Sequence, residues 1–222
     1  MSNLQVDVRL VMFLISLPIF FLSLGIHEYA HAYSAYKLGD DTAKKAGRLT
    51  LNPFKHIDLI GTVLMPIAAY ASGFALIGWA KPVPVNPDAF ANKRLGDGIV
   101  SFIGPFSNLS FALMLFTSIL VFPSSAVFEF SNSTITTHDI LWYGVFLNVF
   151  LGFFNLLPIP PLDGVHILHS IFYNQYTKKY ANVGFIGSFL LLIFIYSPLW
   201  KYFISVINSV MNLFISISNS LL

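Results

Sequence analysis

Long apolar runs separated by short polar connections organise all 222 residues. The runs cover about 9–36, 57–79, 98–122, 139–159, 183–200 and 202–221. Several reach or exceed the roughly eighteen apolar residues that mark a membrane-crossing helix. No internal repeat or low-complexity segment interrupts them. The pattern predicts an all-α polytopic membrane protein of about six apolar segments. It reads as a single domain over 1–222, with a core at about 9–172 and accessory helices at about 183–221.

Composition sharpens this picture. Only 10% of residues are charged, against about a quarter in soluble domains. Hydrophobic residues make up 56%, with 23 Phe among them. Cysteine is absent, which excludes disulfides and thiolate metal ligands. Net charge is only +2 with no basic run, which argues against nucleic-acid binding. The first run leads into a charged motif and not into a small-residue cleavage site, so it is expected to be retained.

Charge in the connections gives an orientation. Lys37, Lys44, Lys45, Arg48 and Lys55 fall in 37–56, and Lys81, Lys93 and Arg94 in 80–97. The connection 173–182 carries Lys178 and Lys179, whereas 123–138 has no Lys or Arg. The positive-inside rule puts the first three in the cytoplasm and the fourth outside. With 37–56 and 80–97 on one side, 57–79 cannot cross once. Gly61, Pro66, Gly73 and Gly78 weaken a regular helix there, so it is expected to dip in and return. The alternative is a plain span that breaks the charge rule.

The chemistry begins at His27-Glu28-Tyr29-Ala30-His31, an HExxH motif that follows seventeen uncharged residues. On a helix, positions i and i+4 share a face, so both imidazoles can reach one metal ion. In this pattern two His hold zinc and the Glu is a general base. Zinc lowers the pKa of its water to about 7. Two interfacial histidines beside a solvated glutamate are the structural alternative. An ionisable residue at bilayer depth costs on the order of 3 kcal/mol, which favours the functional reading.

A catalytic zinc site needs a third protein ligand. The candidate is Asp163 in "NLLPIPPLDG", where Pro158, Pro160 and Pro161 must break the helix. Gly164 then permits close approach to another element. Asp163 could instead cap a short helix over the residues that follow. His56, His138, His166 and His169 read as packing or surface residues.

HExxH followed by "NLLPIPPLDG" resembles the site-2 protease family (M50) of intramembrane zinc metalloproteases. "AGRLTLNPFKHIDLIGT" and "GWAKPVPVNP" resemble its small bacterial and archaeal branch, without PDZ or CBS domains. The resemblance implies one Zn²⁺ per chain on His27, His31 and Asp163, with Glu28 as base. It implies that Asn155 assists with substrate or oxyanion. Asn108, in a GPxxN motif with Gly104 and Pro105, would contact substrate backbone. Gly78, Trp79, Ala80, Lys81, Pro82 and Val83 would form a small membrane-associated β-segment near 78–86 that pairs with substrate. Pro82 and Pro84 cannot donate to a ladder, which suits an edge. Helix-packing asparagines and a polar loop are the alternatives for these positions.

The expected protein is therefore a zinc endopeptidase cleaving transmembrane or membrane-proximal peptide bonds of membrane proteins. Its partners would be a transmembrane substrate and the lipid bilayer. It would lie in the bacterial inner (cell) membrane with its site toward the cytoplasm. The alternatives are a membrane metal transporter, a non-proteolytic substrate-binding homologue, and a metal hydrolase acting on lipid or prenyl groups. A transporter should show repeated ligand-bearing helices.

Overall fold

The computed structural model describes residues 8–71, 78–130, 133–183 and 186–221. Helix α1 (Val8–Lys37) leads, and Gly39 at φ 104° ends it in the left-handed region that favours glycine. Then come the single turn α2 (Thr42–Lys45), a 3-10 turn at Pro53–His56 and a wide turn at Leu59–Leu64 that runs into α3 (Met65–Ala71). From residue 78 an extended segment runs to a 3-10 turn at Pro87–Ala89, and α4 (Lys93–Val121) is then started by the Asn92 side chain accepting the Leu95 N–H. Strands β1 (Ala126–Phe130) and β2 (Ser133–Thr136) form an antiparallel hairpin. The capping box of Thr136 and Asp139 opens α5 (Thr137–Asn155). The chain closes with α6 (Gly164–Phe172), α7 (Gln175–Ala181), α8 (Ile186–Tyr196) and α9 (Leu199–Leu221).

Among the described residues, four helices, α1, α4, α5 and α9, are long and apolar enough to cross a membrane, or five spans if α7 and α8 count as one bent span. Six apolar segments were expected, and the difference has local causes. In the run 183–200 the described residues give the eleven residues of α8, which ends before Pro198, and residues 184–185 lie outside those described. The run 57–79 yields two short turns, and its residues 72–77 lie outside those described. Trp79 N–H donates to Gly61 O at 3.1 Å, so the chain leaves and rejoins one place.

Side-chain partners fix the direction of the core helices. His27 meets Asn108 and His31 meets Val100, so α1 and α4 run antiparallel. Gly144 abuts Leu115 and Gly152 abuts Leu109, which makes α4 and α5 antiparallel as well. Apolar side chains gain little by leaving lipid for protein, so such helices associate through close packing and buried polar contacts. Gly144 fits this, since a Cβ there would stand 2.7 Å from Leu115. On the far side, Phe111, Phe116, Val145, Val149, Phe203 and Ile207 pack α9 against α4 and α5.

The expected β-segment near 78–86 is extended but forms no strand; the hairpin of β1 and β2 lies elsewhere, with Phe128 opposite Ile135. The reason is donor supply and partner identity. Pro82 and Pro84 have no N–H, and Trp79 and Lys81 donate to carbonyls of separate turns, Gly61 O and His56 O.

Candidate metal centre

His27 and His31 sit one turn apart on the face of α1 that meets α4. Their rings are 84° apart in plane, and their Nε2 atoms are 3.0 Å from each other. The outer nitrogens are engaged: His31 Nδ1 lies 2.7 Å from Val100 O, and His27 Nδ1 lies 2.7 Å from Asn108 Oδ1. A backbone carbonyl only accepts, so His31 Nδ1 carries the hydrogen, which leaves Nε2 as the nitrogen whose lone pair a neutral ring would present. Gly104 makes room for both rings. A Cβ there would collide with the His31 imidazole and stand 2.9 Å from His27 Cε1.

Asp163 comes from the broken stretch between α5 and α6. It stands at the N-cap position of α6 but makes no side-chain cap bond. Its Oδ2 points instead at the histidines, 3.1 Å from His27 Nε2 and 3.3 Å from His31 Nε2. Gly164 lets the chain turn there, because a Cβ would strike the carbonyls of Leu156 and Leu157. Arg94 of α4 holds the other end of α6, donating to Ser170 O at 2.5 Å and Ile171 O at 2.7 Å.

The three residues fit a metal ion. Among the described residues they form the one group of His, Asp and Glu with ligand atoms close enough to share an ion. Tetrahedral zinc with bonds of about 2.0–2.1 Å needs ligand atoms about 3.3 Å apart. The observed separations are 3.0, 3.1 and 3.3 Å. Asp163 Oδ2 is buried and has no hydrogen-bond partner. Such an atom is costly in a protein interior unless a cation faces it.

Glu28, 8% exposed, lies beside this cluster, and its Oε2 accepts the Val83 N–H at 2.8 Å. The extended segment is tied down along one edge only. Trp79 N–H reaches Gly61 O, while Trp79 O accepts the Thr62 hydroxyl at 2.7 Å. Lys81 N–H reaches His56 O, while Lys81 O accepts from the buried Arg48 at 2.5 Å. Gly78 lies against Gly61 O, Phe20 and Pro66, and the Ala80 side chain is buried with Phe20 and Leu24. Groups at the odd positions thus face the protein. At the even positions the Ala80 N–H and C=O are unpaired among the described residues, and Pro82 is exposed.

Two asparagines were expected near substrate. Asn155 is half-buried at the end of α5, and its amide nitrogen donates to Leu151 O at 3.0 Å. No hydrogen bond joins it to the three clustered residues. Asn108 departs from the expectation that it contacts substrate. It is fully buried, its oxygen faces His27, and its nitrogen serves Ser23 O and Asn148 Oδ1. No group is left for a peptide. Sequence reasoning missed the Val100 carbonyl and the Val83 N–H, because any residue type supplies them.

An apolar helical bundle whose buried faces present HExxH and a distant carboxylate to one point is, by class, a membrane protein with a zinc-peptidase type of centre. The description of peptidase family M50 matches residues 125–195. The candidate zinc metalloprotease YwhC of Bacillus subtilis (strain 168) is 39% identical over 181 residues, which cover 82% of this chain and 80% of that protein. The candidate zinc metalloprotease Rip2 of Mycolicibacterium smegmatis is 29% identical over 185 residues, 80% of this chain but 64% of its own length. Zinc metalloprotease MJ0392 of Methanocaldococcus jannaschii is 29% identical over 179 residues, 78% of this chain and 40% of that protein. No solved structure matches the chain. The chain belongs to peptidase family M50: it is a zinc metalloprotease and an integral membrane protein.

Proposed function

We propose that this protein cleaves peptide bonds within or beside the transmembrane segments of membrane-protein substrates, as in regulated intramembrane proteolysis. The observation that carries the reading is the meeting of His27 Nε2, His31 Nε2 and the unpartnered Asp163 Oδ2 between apolar helices. His27, His31 and Asp163 would hold one zinc ion per chain, which when bound would supply Lewis acidity and make a water more acidic. Glu28 takes a proton from the attacking water and gives it to the leaving nitrogen. Asn155 has one amide hydrogen on Leu151 O and offers the other to the developing oxyanion.

A helix cannot present its backbone carbonyls for attack, so the substrate must unwind and its bared groups need partners. The unpaired even edge of residues 78–83 offers them: the N–H of Ala80 and the carbonyls of Ala80 and Pro82. The expectation that 57–79 enters the membrane and returns is supported by its two ends, where Trp79 N–H meets Gly61 O. The basic residues at Lys37, Lys44, Lys93 and Arg94 gather where α1 ends and α4 begins, and this end faces the cytoplasm of a bacterial inner membrane. His31 is six residues from Lys37, about 9 Å along the helix, so the site opens toward that side.

The test uses purified protein in vesicles with a tagged transmembrane segment as reporter. Cleavage should need bound zinc, cease with a chelator and return on adding zinc. Cutting of a soluble unstructured peptide, with none of the membrane segment, would overturn the intramembrane reading.

A further inference from the structure

Asn108 and Asn148 are both fully buried at the meeting of α1, α4 and α5. Asn108 Nδ2 donates to Ser23 O at 3.2 Å and to Asn148 Oδ1 at 2.9 Å. Asn148 Nδ2 donates to Ser23 Oγ at 2.8 Å and to Gly144 O at 2.9 Å. The Ser23 hydroxyl passes its hydrogen to Ile19 O at 2.7 Å. All donors and amide oxygens of the two asparagines are used.

The direction of this chain is forced, because backbone carbonyls accept and cannot donate. Gly144 O demands an N–H from Asn148, which turns Asn148 Oδ1 toward Asn108. Ser23 O demands an N–H from Asn108, which turns Asn108 Oδ1 toward His27. Flipping the Asn108 amide would set its oxygen against two other oxygens in a site without water's screening. Asn108 Oδ1 therefore accepts, His27 Nδ1 carries the hydrogen, and His27 Nε2 keeps its lone pair free.

We propose that Asn148 is a positioning residue of the metal centre, which sets the tautomer and orientation of His27 through Asn108. Its side-chain partners are Asn108, Ser23 and Gly144, and it makes no hydrogen bond to His27, His31 or Asp163. Its role follows from the carbonyls of Ile19, Ser23 and Gly144, which together polarise the network toward the metal. Partners of metal-binding histidines are commonly worth about 10–100-fold in metal affinity. The inference rests on the metal-centre reading above.

The experiment measures zinc affinity of the full chain in detergent by competition with a chromophoric chelator, and the absorption of cobalt(II) in the same site. Wild type, Asn148→Leu, Ser23→Ala and Val145→Ala are compared, with thermal unfolding of each. Val145 is equally buried three residues away but packs in the apolar core. Asn148→Leu should bind zinc about ten-fold or more weakly, with an altered cobalt spectrum. Val145→Ala should lose stability and keep wild-type affinity and spectrum. Wild-type affinity and spectrum in Asn148→Leu would overturn the role of Asn148. Should that variant fail to fold, Ser23→Ala decides by the same readouts, in the same direction with a smaller loss. A wild type that binds no zinc overturns the metal reading itself.

Discussion

Glu28 Oε2 accepts the backbone N–H of Val83 at 2.8 Å, which ties the carboxylate between His27 and His31 in sequence to the extended segment that faces it. One oxygen of the carboxylate is thereby fixed, and the other is left for a water. Gln at this position keeps a carbonyl oxygen for the Val83 N–H but cannot take a proton. Glu28→Gln should therefore retain one zinc and an unchanged fold while cleavage falls by about 10²–10⁴-fold. Zinc content and rate on the same preparation check this. Zinc-loaded Glu28→Gln that cuts at the wild-type rate removes Glu28 from the chemistry.

Binding of a metal to the folded chain alone stabilises it by RT ln(1 + [L]/Kd), about 2.7 kcal/mol at a hundred-fold excess over Kd. A chelator should lower the unfolding temperature of the wild type accordingly. His31→Ala and Asp163→Ala each remove one of three ligands and should unfold at a temperature that no longer responds to chelator or zinc. A wild type equally indifferent to both would mean that the His27, His31 and Asp163 cluster holds no ion.

Gly104→Ala separates helix stability from metal binding. In a helix interior Ala is favoured over Gly by about 1 kcal/mol, so propensity predicts a gain. The added Cβ, however, collides with the His31 imidazole, and His27 Cε1 is 2.9 Å away. The rings must shift off the common point, and zinc affinity should fall on the order of ten-fold, as it does when second-sphere support is lost. Chelator competition on this variant reads the result, and unchanged affinity would show that the rings move freely.

The parts legible in the sequence are those where one segment carries the whole signal. The apolar runs behind α1, α4, α5 and α9 have bilayer length and admit one reading. HExxH puts both histidines on one helical face, so spacing alone brings them together. Asp163 stood out as a charge in a proline-broken apolar stretch. What stayed hidden depends on contact across the fold. The polar partners of His31 and Glu28 are backbone groups of Val100 and Val83, which no side chain announces. An asparagine can face a ligand or a substrate equally well, so Asn108 could be assigned only once its neighbours were known. From sequence, 123–138 reads as an external connection without a strand, so the β1–β2 hairpin is not foreseen there. Its N–H groups find carbonyls on the facing strand, whereas those of Trp79 and Lys81 serve separate turns.

Asp40 gives a pH dependence outside the membrane spans. Its carboxylate accepts Thr42 N–H and hydroxyl on one oxygen and Asn86 N–H on the other, joining the end of α1 to the end of the extended segment. Burial opposes its ionisation, but these donors outweigh it and hold the pKa below the ordinary value. A lowered folded pKa means stability that is present above the unfolded value, near 4, and is lost as pH falls through the folded one. Asp40→Asn should be less stable than wild type by about 1–3 kcal/mol at pH 7, with the gap closing in acid. Unfolding temperatures from pH 7 to pH 3 test it, and a gap independent of pH would mean that the charge plays no part.

The free edge of the extended segment makes the sharpest demand on the substrate-binding proposal. Of the even positions 80, 82 and 84, only Ala80 has an N–H to give, and among the described residues it has no partner. If a substrate strand adds here, that one hydrogen is its anchor donor, while the carbonyls of Ala80 and Pro82 accept from the substrate. Ala80→Pro removes the donor and leaves the inward bonds of Trp79, Lys81 and Val83 in place. A single backbone hydrogen bond is worth about 0.5–1.5 kcal/mol, so KM should rise about two- to ten-fold while zinc content holds. Lys81→Pro, which deletes the bond to His56 O, should instead loosen the segment and lower thermal stability. Unchanged KM in Ala80→Pro, with zinc and stability intact, would move the substrate to another surface.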